Sequence, residues 1–341
     1  MVDLATLGSL GFGAGSIGNL YRAMPDEAAA ETVGTAWDAG LCYYDTAPHY
    51  GFGLSEKRLG RALAALDPQE RAIISTKVGR RLDPVPAGTD LDQPRQAFVT
   101  PEPYESVFDY SYDAVMRSHD ASLARLGRTR IDILYAHDIG RFAHGDDHPR
   151  RFAEFIEGGY RALRELRDGG AVGAIGLGVN ETAVCEEVLA HGDIDVVLLA
   201  GRYTLLEQEA LTSFLPLCAA RDVRIVLGGP YNSGILAKGV RHGGELHYDY
   251  QPASEAIIAR VGAIEAVCEA HGVPLPAAAL QFPLAHPQVA SVIPGMSSPR
   301  QVADAVRLMH LPIPAGLWRD LKDQRLIRAD APVPGDPPPQ P

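Results

Sequence analysis

The chain has 341 residues, 46% of them hydrophobic, and a formal net charge of −12. A chain this long and apolar can bury a large core, and its acidity argues against nucleic acid or an anionic membrane surface as a partner. Four cysteines, Cys42, Cys185, Cys218 and Cys268, show no CxxC or ligand-like spacing, which points to small buried thiols in a reduced compartment and to no metal site. No basic and apolar leader opens the sequence, and no apolar run reaches membrane-spanning length, so a cytoplasmic protein, monomeric or a small homo-oligomer, is expected.

The stretch 7–18 is glycine-rich and contains Gly13-Ala14-Gly15-Ser16-Ile17-Gly18, a literal GxGxxG ahead of an apolar run ending at Asp45. A dinucleotide fingerprint needs a helix to begin within its glycines. Here Pro25-Asp26 starts the helix later, so a strand-to-helix loop is the better reading. Helices are then predicted over 27–39 and 54–66, each followed by a short apolar strand, 41–45 and 72–77. A long irregular segment, 79–110, is followed by helix 112–126, strand 131–137 and helix 152–167, with Gly169-Gly170 as a C-cap signal. Strand 172–178, helix 181–190, strand 194–199, helix 207–220 and strand 224–228 continue the alternation. Helices 254–271 and 275–285 precede an eighth strand, 289–293, then helices 299–309 and 315–328.

The strands are apolar without alternation, as strands covered on both faces are. Eight βα units with no linker-like break predict an α/β fold, a (β/α)₈ TIM barrel with long loops at its C-terminal face, as a single domain over 1–330. Residues 331–341 are Pro-rich and expected to be disordered. The segment 79–110 is long enough to act as a lid.

Barrels of this kind carry their chemistry at the C-terminal ends of the strands. The first polar residue past each apolar run gives Asp45, Lys77, His137 and Asn180 from the second to fifth strands, with Tyr50 on the loop after Asp45. Singly, each has an ordinary reading: a turn-forming acid, a solvated lysine, a rim histidine, a packed aromatic. Jointly they compose a proton shuttle for a carbonyl–alcohol pair. A nearby ammonium pulls a phenol's pKa down from about 10, a carboxylate aims the ammonium, and a histidine fixes the substrate oxygen. The set has no hydride of its own, so a cofactor must supply that part.

These residues resemble the aldo-keto reductases over nearly the whole chain, from Leu10-Gly11-Phe12-Gly13 to the helix 299–309. The resemblance rests on Tyr44-Asp45-Thr46-Ala47-Pro48-His49-Tyr50-Gly51, Ser75-Thr76-Lys77-Val78-Gly79, Ser122-Leu123-Ala124-Arg125-Leu126-Gly127 and Ile133-Leu134-Tyr135-Ala136-His137-Asp138. It implies a catalytic tetrad of Asp45, Tyr50, Lys77 and His137, with Tyr50 as general acid/base and with Tyr50 and His137 touching substrate. It implies a nicotinamide cofactor held by Asn180, by Gly229, Pro230, Asn232, Gly234 and Leu236, by Gly295, Met296, Ser297, Ser298, Gln301 and Asp304, and by Gly13, Ala14, Gly15 and Asp45. The sequence departs from the family's pattern at Ala200-Gly201, where many members place Gln or Asn, and at Gly228, where an aromatic often stacks on the nicotinamide; Tyr231 is the candidate substitute. The adenosine loop lacks the usual cation for a 2′-phosphate, offering Arg300 at most and an acid, Asp304, which favours NAD over NADP.

Within the family, the sequence resembles dehydrogenases of the L-fucose, D-threo-aldose and L-galactose type and pyridoxal 4-dehydrogenase. The features that carry this are Gly18-Asn19-Leu20-Tyr21, Phe108-Asp109-Tyr110-Ser111-Tyr112-Asp113 and Leu199-Ala200-Gly201-Arg202-Tyr203-Thr204. The resemblance implies oxidation of a small sugar to its lactone, or of pyridoxal to 4-pyridoxolactone, with no nucleic-acid or membrane partner. Substrate choice is expected to lie in 79–110, 139–151, 242–251 and the C-terminal tail. Three other classes stay open: an aldolase-like barrel using Lys77 as a Schiff base, a glycosidase with paired acids, and a nicotinamide-binding sensor barrel without turnover.

Overall fold

The computed structural model describes residues 2–241 and 243–336. Eight parallel strands follow one another around a single sheet: β1 Phe12–Gly13, β2 Tyr43–Asp45, β3 Ile73–Val78, β4 Ile131–His137, β5 Val172–Val179, β6 Val196–Ala200, β7 Arg224–Gly228 and β8 Val289–Ile293. The amide of Gly11 donates to Val292 O at 3.0 Å and that of Val292 to Ser9 O at 2.9 Å, joining β8 back to the segment before β1. The barrel is thus closed, as the βα alternation predicts.

Strand parity explains why the strands read as continuously apolar. Tyr43, Ile133, Tyr135, Val196, Leu198, Val226 and Ile293 form a cluster inside the barrel. Their neighbours in sequence, among them Tyr44, Leu134, Val197, Leu199, Ile225 and Leu227, belong to a second cluster under the helices. Alternate residues share a face, so the inward series on β2 runs Tyr43 then Asp45, on β3 Ser75 then Lys77, and on β4 Ile133, Tyr135, then His137. The barrel's upper layer is therefore polar and its lower layers apolar. That polar layer is where the candidate site lies.

Several local expectations change. The predicted helix 152–167 starts earlier, at His148–Glu154, passes through a π-turn at Phe155–Gly159 and ends at Tyr160–Asp168. Pro149 sits in its first turn, where no amide donor is required. The predicted helix 207–220 divides into a 3₁₀ turn, Glu209–Leu211, and a helix, Phe214–Ala220, because Thr204 Oγ1 accepts from the amides of Leu206 and Glu207 and holds the chain in a turn. The last helix stops at Asp323.

The segment expected to be irregular, 79–110, contains an antiparallel hairpin, Arg80–Pro84 against Tyr104–Phe108. Between the two strands it runs back over the N-terminal loop, with Tyr21 N to Ala97 O at 2.8 Å and Val99 N to Asn19 O at 3.0 Å. The tail expected to be disordered from 331 is ordered at its start: Ala331 and Val333 are 0% and 7% exposed and join the core cluster. Residues 337–341 and His242, part of the predicted substrate loop, lie outside the described residues. Among the described residues, no helix is long and apolar enough to cross a membrane.

Candidate active site

Asp45 and Lys77 meet at the top of the barrel. Lys77 Nζ donates to Asp45 at 2.7 Å (Oδ2) and 2.9 Å (Oδ1) and to Thr46 O at 2.8 Å. Both side chains are buried, with Lys77 only 2% and Asp45 3% exposed. Ser75, inward on β3, donates to Asp45 Oδ1 at 2.7 Å, and the hydroxyl of Tyr43 lies 2.9 Å from Ser75 Oγ and 3.2 Å from that of Tyr135. The carboxylate is thus held by several donors, as a buried charge requires. Burial works against the Lys77 ammonium, but Asp45 and Tyr50 beside it raise its pKa from 10.5, so it stays charged. Lys77 lies across Gly178 of β5, where a Cβ would stand 3.2 Å from Lys77 Cε.

Tyr50 reaches the same point from the loop after β2. Lys77 Nζ is 4.8 Å from the centroid of its ring. The glycines of the apparent fingerprint place this loop: a Cβ on Gly18 would come within 2.8 Å of Tyr50's carbonyl, and one on Gly51, at φ +65°, within 2.4 Å of Gly18 O. Gly13 ends β1, and Ala14–Gly18 forms a 3₁₀ turn, not the start of a dinucleotide-binding helix. The Tyr50 phenol differs from the expectation that Lys77 pulls its pKa down. Burial raises it above 10 and Asp45 adds to this, while Lys77 only partly opposes them. The ammonium is already committed to Asp45 and to Thr46 O.

His137 closes the set. Its ring packs edge-on to Tyr50 at 6.1 Å and to His49 at 5.9 Å. Burial, then Arg80, Lys77 and His49, hold its pKa well below 6.5, so the imidazole is neutral. His49 is likewise pushed down to about 3 by burial, Arg80 and Lys77. A neutral imidazole, a phenol and a buried ammonium around one opening can fix an oxygen and move a proton to or from it. The same geometry leaves Lys77 ill-suited to Schiff-base chemistry, since a nucleophilic amine must be uncharged.

Asn180, at the end of β5, begins a groove of about 900 Å³ that also includes Gly229, Pro230, Asn232, Gly234, Gly295, Met296, Gln301 and Asp304. Ser297 and Ser298 line an adjoining recess with Arg22 and Arg300. The groove runs past backbone without side chains at Gly201, Gly229, Gly234 and Gly295 to the helix Pro299–Met309, capped by Ser298. A long, partly apolar channel floored by bare backbone fits an extended dinucleotide.

Not every residue expected at the cofactor faces this groove. Leu236 is fully buried in the core cluster, and Ala14 is buried beneath its 3₁₀ turn. Asp45 is enclosed by Lys77 and Ser75, and Gly13 is paired through its amide with Pro294 O at 3.1 Å. Gly15 lies against the Tyr50 ring, its Cβ position 3.9 Å away. The Asn232 side chain is engaged internally, accepting from Thr204 Oγ1 at 2.7 Å and donating to Gly201 O at 3.1 Å, which leaves its backbone for a ligand. Gln301 Oε1 accepts from Ser297 N at 2.7 Å.

Tyr231 lines the groove, but its phenol feels Asp304, which puts it toward the helix Pro299–Met309. The aromatic beside Asn180 is instead Tyr250, whose hydroxyl donates to Asn180 Oδ1 at 3.3 Å. Tyr250 and Asp249 form a two-residue hairpin turn, both left-handed, and Arg202 ties Asp249 at 2.9 Å and Asn180 O at 2.6 Å. Sequence reading missed Tyr250, Arg80, and the groove cations Lys238 and Arg307. The first two arrive through loop geometry. Lys238 and Arg307 gave a signal only as basic residues in the final turns of short helices.

The profile of the aldo/keto reductase family matches residues 9–323. Pyridoxal 4-dehydrogenase of Microbacterium luteolum is 42% identical over 332 residues, 94% of this chain and 95% of the relative. D-threo-aldose 1-dehydrogenase of a Pseudomonas species is also 42% identical, over 325 residues and 94% of each. Among solved structures, an aldo-keto reductase of Bacillus halodurans in its holo form superposes with a TM-score of 0.71 at 26% identity, covering 95% of this chain and 94% of the other.

Proposed function

Because the chain belongs to the aldo/keto reductase family, we propose that its barrel mouth oxidises an aldose of the L-fucose, D-threo-aldose or L-galactose type at C1, using NAD. The observation that carries this is the buried Lys77–Asp45 pair at 2.7 Å beneath the Tyr50 ring, with a neutral His137 edge-on to that ring. An aldose closes as a cyclic hemiacetal, and loss of a hydride from C1 and a proton from its hydroxyl leaves a lactone. The nicotinamide, when bound, supplies the hydride acceptor. Tyr50 takes the hydroxyl proton, and the Lys77 charge stabilises the phenolate character that this step requires. Asp45 aims Lys77. His137 hydrogen-bonds the reacting oxygen and holds it against Tyr50.

For the cofactor, Asn180 would hold the carboxamide. Its present contacts, Tyr250 at 3.3 Å and Asp138 at 3.4 Å, are long enough to exchange. Gly229, Pro230, Asn232 and Gly234 would offer backbone to the pyrophosphate, and Gly295, Met296, Ser297 and Ser298 would enclose the adenosine. Asp304 supports NAD over NADP, since an acid in the groove repels a 2′-phosphate. It also engages the neighbouring cations, with Arg307 at 3.5 Å and Arg300, 91% exposed, at 4.0 Å.

The pyridoxal reading has its own support. The mouth is ringed by aromatic edges, with His49 and Phe98 at 5.3 Å, Tyr50 and Phe98 at 6.4 Å, and Tyr21 and Tyr250 exposed beyond them. Such walls suit a flat heteroaromatic ring whose side group also closes as a hemiacetal. The test is a spectrophotometric screen for reduced nicotinamide with L-fucose, D-arabinose, L-galactose, L-xylose and pyridoxal, run with NAD and with NADP. Turnover with a sugar and a higher kcat/KM for NAD is the expected result. Turnover with pyridoxal alone selects the second reading, and tight NAD binding without turnover on any compound supports a sensor and contradicts both.

A further inference from the structure

Arg80 has no place in the proton relay, yet it holds the acid that lies beside the group that orients the substrate. It opens the hairpin strand Arg80–Pro84. Its guanidinium stacks 4.3 Å over the Phe108 ring, donates through Nη2 to Asp138 Oδ2 and approaches His49 Nε2 at 3.3 Å. Asp138 is fixed in turn by a left-handed backbone at φ +53°, by its amide donating to Gly178 O at 2.9 Å, and by Asn180 Nδ2 donating to its Oδ1 at 3.4 Å. The oxygen that Arg80 holds lies 3.5 Å from His137 Nε2. The buried Nδ1 of His137 has no hydrogen-bond partner among the described residues.

We propose that Arg80 is a positioning residue: by neutralising Asp138, it keeps His137 an uncharged imidazole whose N–H remains free for the substrate oxygen. This rests on the reading above, in which His137 orients that oxygen. An uncompensated carboxylate beside an imidazole favours the imidazolium. The charged ring would then direct its donor onto Asp138 and away from substrate.

The groups facing His137 support this. Tyr50 and His49 come from the loop after β2, Lys77 from β3, Arg80 from the hairpin and Asp138 from the end of β4. Tyr110 Oη donates to the carbonyls of His137 and Asp138 at 2.8 and 2.9 Å, with His144 Nε2 2.9 Å behind it and Arg151 and Glu154 beyond. Asn180, after β5, reaches Asp138 at 3.4 Å, and Tyr250 of the second hairpin reaches Asn180 at 3.3 Å; both are uncharged. Lys77 is already matched by Asp45. Asp138 is matched by Arg80, so removing Arg80 leaves one bare anion next to His137.

The test follows the His137 ring by proton NMR titration and kcat against pH, in the wild-type protein, R80Q and R80Q/D138N. Wild-type His137 is expected not to titrate between about pH 5 and 8. R80Q should raise its pKa, so that the ring titrates at a higher pH than in the wild type, and give kcat an acid limb. R80Q/D138N keeps only the loss of Arg80's own charge, so it should lose the part of the shift that the bare Asp138 carboxylate adds, and with it the limb. A pH-independent loss of kcat in R80Q that D138N does not relieve would mark Arg80 as a packing residue and overturn the proposal. So would ordinary titration of wild-type His137 near 6.5, a result that needs no variant to fold. The NMR arm needs no turnover, so it judges Arg80 separately. Failure of the functional reading would show instead as absence of turnover in all three proteins.

Discussion

Tyr50→Phe should lower turnover by about 10²–10⁴-fold, the range of a lost general acid/base, while NAD affinity stays within a factor of about two. Phenylalanine keeps the ring that packs edge-on to His137 at 6.1 Å and lies near Phe98 at 6.4 Å, so the loop retains its shape and only the proton relay is removed. The pH profile carries a second signature. Burial, opposed by Lys77 and reinforced by Asp45, holds the Tyr50 phenol above 10. Oxidation needs this group as a proton acceptor, so wild-type oxidation should quicken with rising pH across the neutral and alkaline range, and Y50F should lose that rise. Steady-state formation of reduced nicotinamide, followed across pH, reads the turnover and its rise, and quenching of protein fluorescence by NAD reads the affinity. Equal losses in turnover and cofactor affinity would make Tyr50 a structural residue.

Asp45→Asn should be costly in a different currency, folding stability, by about 3–5 kcal/mol, because one partner of a buried ion pair is removed and the other is left charged in the barrel. Asparagine keeps the shape and a carbonyl for Ser75, so the loss isolates the charge. The sign of its pH dependence follows from Lys77. In the wild-type fold the Lys77 pKa is raised above 10.5. With Asp45 ionised, the stability from the Lys77 side of the pairing is therefore present at neutral pH and lost as pH climbs through the folded pKa. In D45N the raising partner is gone and burial pushes the ammonium pKa below its unfolded value. Between those two values the unfolded chain binds more protons than the folded one, so D45N should gain stability as pH rises. Denaturant midpoints measured from neutral to alkaline pH check this. A D45N protein as stable as wild type at neutral pH, or one whose deficit does not shrink at higher pH, would show that Lys77 does not depend on Asp45 for its charge.

The barrel and the four strand-end residues were legible because both follow from strand parity. Eight short apolar runs announce a closed sheet, and the residue that breaks each run is the inward one in the upper layer. Asp45, Lys77 and His137 could be read from the chain for that reason. What parity does not encode is the path of the loops. Arg80 lies three residues after Lys77 but reaches His49 and Asp138 only because the segment 80–108 folds as a hairpin. Its closing pair, Arg80 opposite Phe108, joins residues far apart in sequence.

Tyr250 reaches Asn180 through a left-handed Asp249–Tyr250 turn that lacks the Asn-Gly signal such turns usually carry. The residues expected at the cofactor divide in the same way between groove and core. Backbone positions such as Gly229 and Gly295 fall along the groove, whereas Leu236, one helical residue into Ile235–Lys238, faces the core. The direction of the Tyr50 shift was also not legible. Sequence shows that a lysine is near the phenol, but not that the phenol is buried deeply enough, with Asp45 beside it, to outweigh that lysine.

The measurement that bears most directly on the mouth as a hemiacetal-oxidising site is turnover of the accepted substrate deuterated at its hemiacetal carbon. Here the label is followed into the reduced nicotinamide and the product is identified by mass spectrometry. Direct oxidation at that carbon requires the deuterium on the reduced nicotinamide and a lactone two hydrogens lighter than the unlabelled substrate. Deuterium retained in the product, or released to solvent, would contradict it.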